Sequence, residues 1–328
     1  MDLDDLRTYL GKDLEAVQAL MLSSLGSDID ILNKANDRIF SHSGKQLRPM
    51  LTLLCARACS MGHVTRDTLS FAAASELLHN ATLLHDDVAD GGKVRRGAPT
   101  VFALLGGRPS VLLGDYWLVK AMERILGADN DVVSVIKLFS KTLSDLAEGE
   151  LFQLQKADSG DTDENDYLRI IFCKTGSLFR ASAVSGAISV SAGKEKAGTI
   201  AEYADSIGYA FQIKDDIFDY EGGASSIGKP VGQDLMERKI TIPLLGAFRN
   251  AGAEKERQVR SMVRNLDSHP EYKEQILGFV KEYRGIEYAA KRLDDFVDTA
   301  IMRLNSLPDG PDKDWLVRLA IFVGERNK

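Results

Sequence analysis

Apolar residues recur along most of this chain at spacings of three and four, in stretches rich in Ala, Leu, Glu and Lys, and sustained apolar/polar alternation is rare. That pattern predicts helices over 3–24, 28–41, 47–61, 67–90, 110–126, 131–157, 164–191, 196–221, 234–250, 254–266, 271–283, 286–305 and 312–326. The prolines sit mostly where the pattern breaks. The interruptions are short: GADND at 127–131, DSGDTDEND at 158–166, SAGKEKAG at 191–198 and EGGASSIGKPVGQD at 221–234. None has the length of an interdomain linker, and no repeat is evident. The expectation is an all-α chain forming one domain over residues 1–328, a size that buries roughly 75% of its unfolded surface.

Charge narrows the functions. With 41 Lys and Arg against 48 Asp and Glu, the net charge is −7, which gives no general basic footprint for nucleic acid. Any phosphate site must be a local gathering of cations. Cys55, Cys59 and Cys173 form neither a CxxC pair nor a disulfide framework and are expected as reduced core residues. The opening MDLDDLRTYLGKDLEAV lacks the basic-then-apolar layout of a secretory signal, and no run of about 18 apolar residues exists. A cytoplasmic protein without a membrane span is expected, with at most a peripheral membrane contact.

Two acidic triplets carry the chemistry. Asp86, Asp87 and Asp90 close the helix predicted to end at 90, and Asp215, Asp216 and Asp219 repeat the same i, i+1, i+4 spacing in QIKDDIFD at 212–219. On a helix Asp90 lies about 40° around the axis from Asp86 and Asp87 about 100° away, so each triplet can face one cleft. His79 and Thr82 share the Asp86 arc, each within about 40°. Unit charges about 5 Å apart repel by roughly 3 kcal/mol even at an effective dielectric of 20, so cations from outside the chain are expected to neutralise them. All-carboxylate ligands suit Mg²⁺ shared with phosphate, whereas zinc would require His or Cys ligands. Lys45, Arg48, Arg95, Arg96, Lys174, Lys229 and Lys239 each stand beside a Gly, a Pro or a helix start, where backbone N–H groups can meet an anion as well.

In motif order the chain resembles the trans-isoprenyl diphosphate synthases, or polyprenyl synthetases: GKQLRP, LLHDDVADGGKVRRGAPT, LLGDYWLVKA, LAEGELFQL, KTGSLF and FQIKDDIFDYEGGASSIGKPVGQDLMERKITIPLL. The resemblance implies the isoprenoid synthase fold, a mostly antiparallel helix bundle around a central active-site cavity, usually in a homodimer. It implies three Mg²⁺ ions held by Asp86, Asp87, Asp90, Asp215 and Asp216, with Asp219 as the outer member of the second metal motif. The allylic diphosphate would be bound by Arg95, Lys174, Lys229 and Lys239, and isopentenyl diphosphate by Lys45, Arg48, His79 and Arg96. Thr175 and Gln212 would flank the reacting carbons, with Gln153 a further polar cavity position. The implied reaction is head-to-tail condensation by ionisation, attack and proton loss.

Chain length is expected to follow from what blocks the apolar tunnel under the first triplet. Short-chain members that resemble this one carry a bulky aromatic residue four or five positions before the motif, where this chain has Thr82 and Ala81, with Leu78 deeper. A long-chain product, hexaprenyl to decaprenyl, is expected over farnesyl or geranylgeranyl diphosphate. A class I terpene cyclase would carry a mixed second metal motif instead of DDIFD, and a noncatalytic partner subunit would lack some of the acidic or basic residues retained here.

Overall fold

The computed structural model describes residues 2–41, 44–221 and 231–326, and they are almost wholly helical. In chain order the helices are α1 (Leu3–Ser24), α2 (Asp30–Ser41), α3 (Leu47–Ser60), α4 (Arg66–Ala89), α5 (Val101–Leu105), α6 (Gly107–Leu126), α7 (Val132–Ser159), α8 (Glu164–Ile171), α9 (Ser177–Ser189), α10 (Lys194–Glu221), α11 (Gln233–Met236), α12 (Ile242–Ala251), α13 (Ala253–Arg264), α14 (Tyr272–Glu282), α15 (Gly285–Arg303) and α16 (Pro311–Glu325). A two-stranded antiparallel hairpin, β1 (Val94–Arg95) and β2 (Ala98–Pro99), follows α4.

Local signals start the helices that matter for the site. Thr65 caps α4 by accepting the Thr68 N–H, and Thr68 reciprocates on the Thr65 N–H, satisfying two donors that helix geometry leaves orphaned. Asp163 and Asp166 make the same reciprocal pair at the start of α8. α4 is apolar nearly all round: Phe71 through Leu78 are all buried, and each large apolar side chain among them contributes roughly 1.5–3 kcal/mol of burial. Such a helix must be covered on several sides, and α1, α3 and α6 all pack on it.

The chain divides into two compact units. The first comprises Met1–Ser140, Ala181–Ala201 and Ser306–Leu316, and the second Lys141–Arg180, Glu202–Asn305 and Val317–Lys328. The first is built on α4, and in the second α12 packs on α14 and α15. The cysteines are free and buried, as expected. No helix of the described residues is long and apolar enough to cross a membrane.

Three departures from the predicted elements have physical causes. The helix expected over 164–191 is broken at Phe172–Gly176 into a π-helical turn. Here a single wide turn offsets Lys174 and Thr175 from the faces of α8 and α9. The helix expected over 234–250 is two helices, because Arg238 adopts a left-handed φ of 57° and Thr241 an extended one of −103°, and Pro243 then opens α12. The hairpin was not expected. Its two-residue turn, Arg96 and Gly97, has φ of 53° and 76°, the twist that suits tight antiparallel strands.

Candidate active site

In the first unit the acidic triplet closes α4. Asp86 and Asp90 are exposed, Asp90 being the C-cap residue whose N–H bonds the Asp86 carbonyl at 2.8 Å, whereas Asp87 is buried. The hairpin turns Arg95 back on this triplet, with Nε and Nη2 each 2.9 Å from Asp87 Oδ1. Burial pushes the Asp87 carboxyl up, the Arg95 guanidinium pulls it down and Asp90 adds to the rise, with a net shift upward.

The other hairpin arginine faces α3. A Cβ built on Gly44 would meet the Arg96 guanidinium, so that group lies against the Gly44 backbone beside Lys45, and a larger residue there would displace it. The Lys45 segment is itself tied to α1: Arg7 donates to the Lys45 carbonyl at 3.3 Å, and Gln18 donates to Gln46 Oε1 at 2.9 Å. Burial draws Arg48 down to about 10, partly offset by Glu76 and reinforced by Arg96, so it stays charged at neutral pH. His79 is depressed well below its usual value, first by burial and then by Arg48, Arg96 and Arg95. Lys45, Arg48, His79 and Arg96 all lie in the first unit, with His79 neutral near pH 7. Leu78 and Ala81 are fully buried; Thr82 is half-buried and donates its hydroxyl to the His79 carbonyl at 2.8 Å.

In the second unit a cavity of about 170 Å³ is lined by Gln153, Lys174, Gln212, Asp216, Asp234 and Lys239 among others. A chain of hydrogen bonds runs along its wall. Tyr167 donates its hydroxyl to Asp216 Oδ2 at 2.7 Å, Gln212 Nε2 donates to Asp216 Oδ1 at 2.9 Å, and Thr175 donates to Gln212 Oε1 at 2.8 Å. The π-turn makes the last contact reachable: a Cβ on Gly208 of α10 would come within 2.5 Å of Gly176 Cα, so the two backbones almost touch. Because Gln212 must present its N–H₂ to the carboxylate, its oxygen is the acceptor for Thr175, and the Thr175 lone pairs are left without a proton of their own. Burial, then Asp234 and Asp215, push Asp216 well up.

The cavity's lysines are pinned to carboxylates. Lys174 Nζ lies 2.5 Å from Glu150 and 3.2 Å from Gln153 Oε1. Lys239 pairs with Glu237 and stands 3.7 Å from Asp234; against the penalty of burial these acids hold it up at about 12. Asp215 is bound by Arg326 at 2.7 Å, and Asp219 accepts backbone N–H groups from Gln233 and Asp234. Lys229 lies outside the described residues.

Groups of the chain itself already serve four of these acids: Arg95 serves Asp87, Arg326 serves Asp215, Tyr167 and Gln212 serve Asp216, and two backbone amides serve Asp219. Among the described residues no three His, Cys, Asp or Glu side chains surround one point. The exposed Asp86 and Asp90 of the first unit offer oxygen-only donors, the kind that suits a hard divalent ion such as Mg²⁺.

Sequence reasoning missed Glu76, Glu150, Tyr167, Asp234 and Arg326. Glu76 was within reach, since a glutamate three residues before His79 in a helix of Ala and Leu asks for a buried partner. Arg326 had no signal, its partner being 111 residues away.

The chain belongs to the polyprenyl synthetase family, whose profile matches residues 29–280. It is 33% identical over 328 residues to octaprenyl diphosphate synthase of Escherichia coli (strain K12), covering 100% of both chains. The crystal structure of a decaprenyl diphosphate synthase from Rhodobacter capsulatus matches it with a TM-score of 0.90 at 34% identity, again over 100% of both chains. A polyprenyl synthase from Caulobacter crescentus CB15, complexed with calcium and isoprenyl diphosphate, matches with a TM-score of 0.90 at 30% identity, covering 100% of this chain and 98% of that one. The fold is the all-helical one implied by the motifs, and the chain is a trans-prenyltransferase.

Proposed function

We propose that this chain condenses isopentenyl diphosphate with an allylic diphosphate, head to tail and trans, to give a long-chain polyprenyl diphosphate, with residues 1–328 acting as one catalytic domain. The observation that carries the reading is the cavity wall on which Lys174, Lys239, Gln212 and Asp216 meet. The octaprenyl and decaprenyl synthases among the relatives support a long product over geranylgeranyl or farnesyl diphosphate.

In this mechanism Arg95, Lys174, Lys229 and Lys239 bind the allylic diphosphate, and Lys174 and Lys239 exchange their carboxylate partners for phosphate oxygens. Asp86, Asp87, Asp90, Asp215 and Asp216 would hold three Mg²⁺ ions, which would supply positive charge to neutralise the departing pyrophosphate. The carbon–oxygen bond breaks with both electrons going to pyrophosphate, leaving an allylic cation. Thr175, its proton committed to Gln212, turns lone pairs toward that cation, and its weak basicity keeps it from trapping the cation as an ether. Lys45, Arg48 and Arg96 hold isopentenyl diphosphate by charge, and neutral His79 holds it by a hydrogen bond. Its double bond attacks the cation, and the new cation loses a proton to the pyrophosphate, the anion left beside it by the first step.

A cytoplasmic homodimer completes the reading. Leu112, Val119 and Leu126 stand 58%, 54% and 63% exposed at seven-residue intervals on α6, an apolar row that a second copy would cover. The testing experiment is purified protein with Mg²⁺, labelled isopentenyl diphosphate and geranyl, farnesyl or geranylgeranyl diphosphate, followed by product chromatography. Products of thirty carbons or more are expected. Pyrophosphate release without isopentenyl diphosphate would indicate a cyclase, and no turnover by the protein alone would indicate a partner subunit.

A further inference from the structure

The third carboxylate of the second triplet, Asp219, is used differently from the other two. Its Oδ1 accepts the Gln233 N–H at 3.0 Å, its Oδ2 accepts the Asp234 N–H at 3.1 Å, and its carbonyl accepts the Gly232 N–H at 2.8 Å. Helix α11 begins at Gln233, and the residue before it, Gly232, has no side chain with which to cap it. The N–H groups of a first turn need an acceptor, and a serine or aspartate next to the helix commonly supplies one. Here the acceptor comes from α10, fourteen residues upstream of Gln233. Asp216 contrasts with this, since its bonds come from two side chains on the cavity wall and it lines the cavity itself.

The segment that Asp219 fastens leads directly to a cavity lysine. Lys239 donates its N–H to the Asp234 carbonyl at 2.9 Å, Arg238 donates its N–H to the Leu235 carbonyl at 2.8 Å, and Lys239 Nζ stands 3.7 Å from Asp234 Oδ1. Asp234 and Lys239 both line the cavity, whereas Asp219 does not. The left-handed Arg238 between them also makes ion pairs to Asp158 at 3.0 Å and Asp267 at 3.6 Å.

We propose that Asp219 is a positioning residue that anchors α11 and thereby aims Lys239 at the allylic diphosphate, and that it is not a metal ligand. The proposal rests on the prenyltransferase reading of the cavity. It separates two jobs within one acidic triplet. Asp215 and Asp216, whose partners are side chains, serve the metal, and Asp219, whose partners are the amides of α11 and which does not line the cavity, fixes that helix.

The test compares Asp219→Asn, Asp219→Ala and Asp216→Asn in the full-length protein. Asparagine keeps one acceptor for the α11 amides and removes the charge, whereas alanine removes both acceptors. The readouts are the Mg²⁺ concentration for half-maximal rate, the Mg²⁺-dependent thermal shift with inorganic pyrophosphate, both KM values, and hydrogen exchange at the Gln233 and Asp234 amides. Asp219→Asn is expected to keep its Mg²⁺ half-saturation within about twofold of the parent. Asp219→Ala is expected to raise KM for the allylic substrate about tenfold with KM for isopentenyl diphosphate unmoved, and to speed exchange at both amides. A rise of about tenfold or more in Mg²⁺ half-saturation for Asp219→Asn, matching Asp216→Asn, would make Asp219 a ligand and overturn the proposal. Unchanged amide exchange in Asp219→Ala would overturn it as well. If Asp216→Asn leaves turnover and Mg²⁺ dependence intact, the reading of the cavity fails, and the proposal with it.

Discussion

Arg326 donates through Nη2 to Asp215 Oδ1 at 2.7 Å and to the Phe211 carbonyl at 2.8 Å, while its guanidinium lies 4.0 Å from the centre of the Phe211 ring. The first carboxylate of the second triplet therefore already has a cation of the chain's own, buried to 5% exposure of its side chain. Arg326→Gln should lower the free energy of unfolding by about 1.5–3 kcal/mol, the range for a hydrogen bond to a charged group. Arg326→Lys should recover little of it, because the planar stack and the two-acceptor geometry belong to the guanidinium. Urea titration of both variants checks this, and a parent-like midpoint for Arg326→Gln would show that the pair contributes nothing.

The first triplet should separate catalysis from stability. Asp86→Ala and Asp87→Ala are each expected to lower kcat by about 100-fold or more, the loss typical of one electrostatic stabiliser. Asp87→Ala should also destabilise, by about 1.5–3 kcal/mol, because it strips the buried partner from Arg95. Relief of repulsion between the acids would give the opposite sign. Thermal melts of the two proteins, run beside single-turnover rates, distinguish these outcomes.

His79 gives a pH dependence. Burial and the charges of Arg48, Arg96 and Arg95 hold its folded pKa well below the unfolded one, about 6.5. As pH falls through 6.5 the unfolded chain takes up a proton that the folded chain refuses, so this residue's contribution to stability is present above that pH and lost below it. His79→Gln keeps a neutral donor and removes the titration. Its melting temperature should fall less between pH 7 and pH 5 than the parent's, with KM for isopentenyl diphosphate near normal. Identical pH profiles would mean that His79 titrates alike in the folded and unfolded chains.

For product length the two small residues before the first triplet should behave differently. Ala81 is 1% exposed, so Ala81→Phe should cost roughly 1–3 kcal/mol through overpacking. Thr82 is half-buried and shares the arc of Asp86, so Thr82→Phe should fold well and shorten the main product. Chromatography of the prenyl products decides it. An unchanged length in Thr82→Phe would put the tunnel floor elsewhere.

The sequence by itself determined the parts of this protein whose cause is local. The long helices follow from spacings of three and four, and α4 and α10 end within a residue of where the pattern stops. The two acidic triplets were legible because their geometry is that of a single helix. The family followed from motif order, since motif order is written along the chain. What the tertiary structure decided is which charge answers which. Asp87 meets Arg95 because a tight hairpin reverses the chain after α4, and the turn is made partly by Arg96, a residue whose composition signal is basic and not turn-forming. Thr175 reaches Gln212 because one wide turn and a glycine-to-glycine crossing bring two helices together. Asp216 takes its proton donor from Tyr167, 49 positions away, and Asp215 its cation from Arg326, 111 positions away. A carboxylate's partner is chosen by distance in space and by the cost of leaving a buried charge unanswered, and neither quantity has a period along the chain.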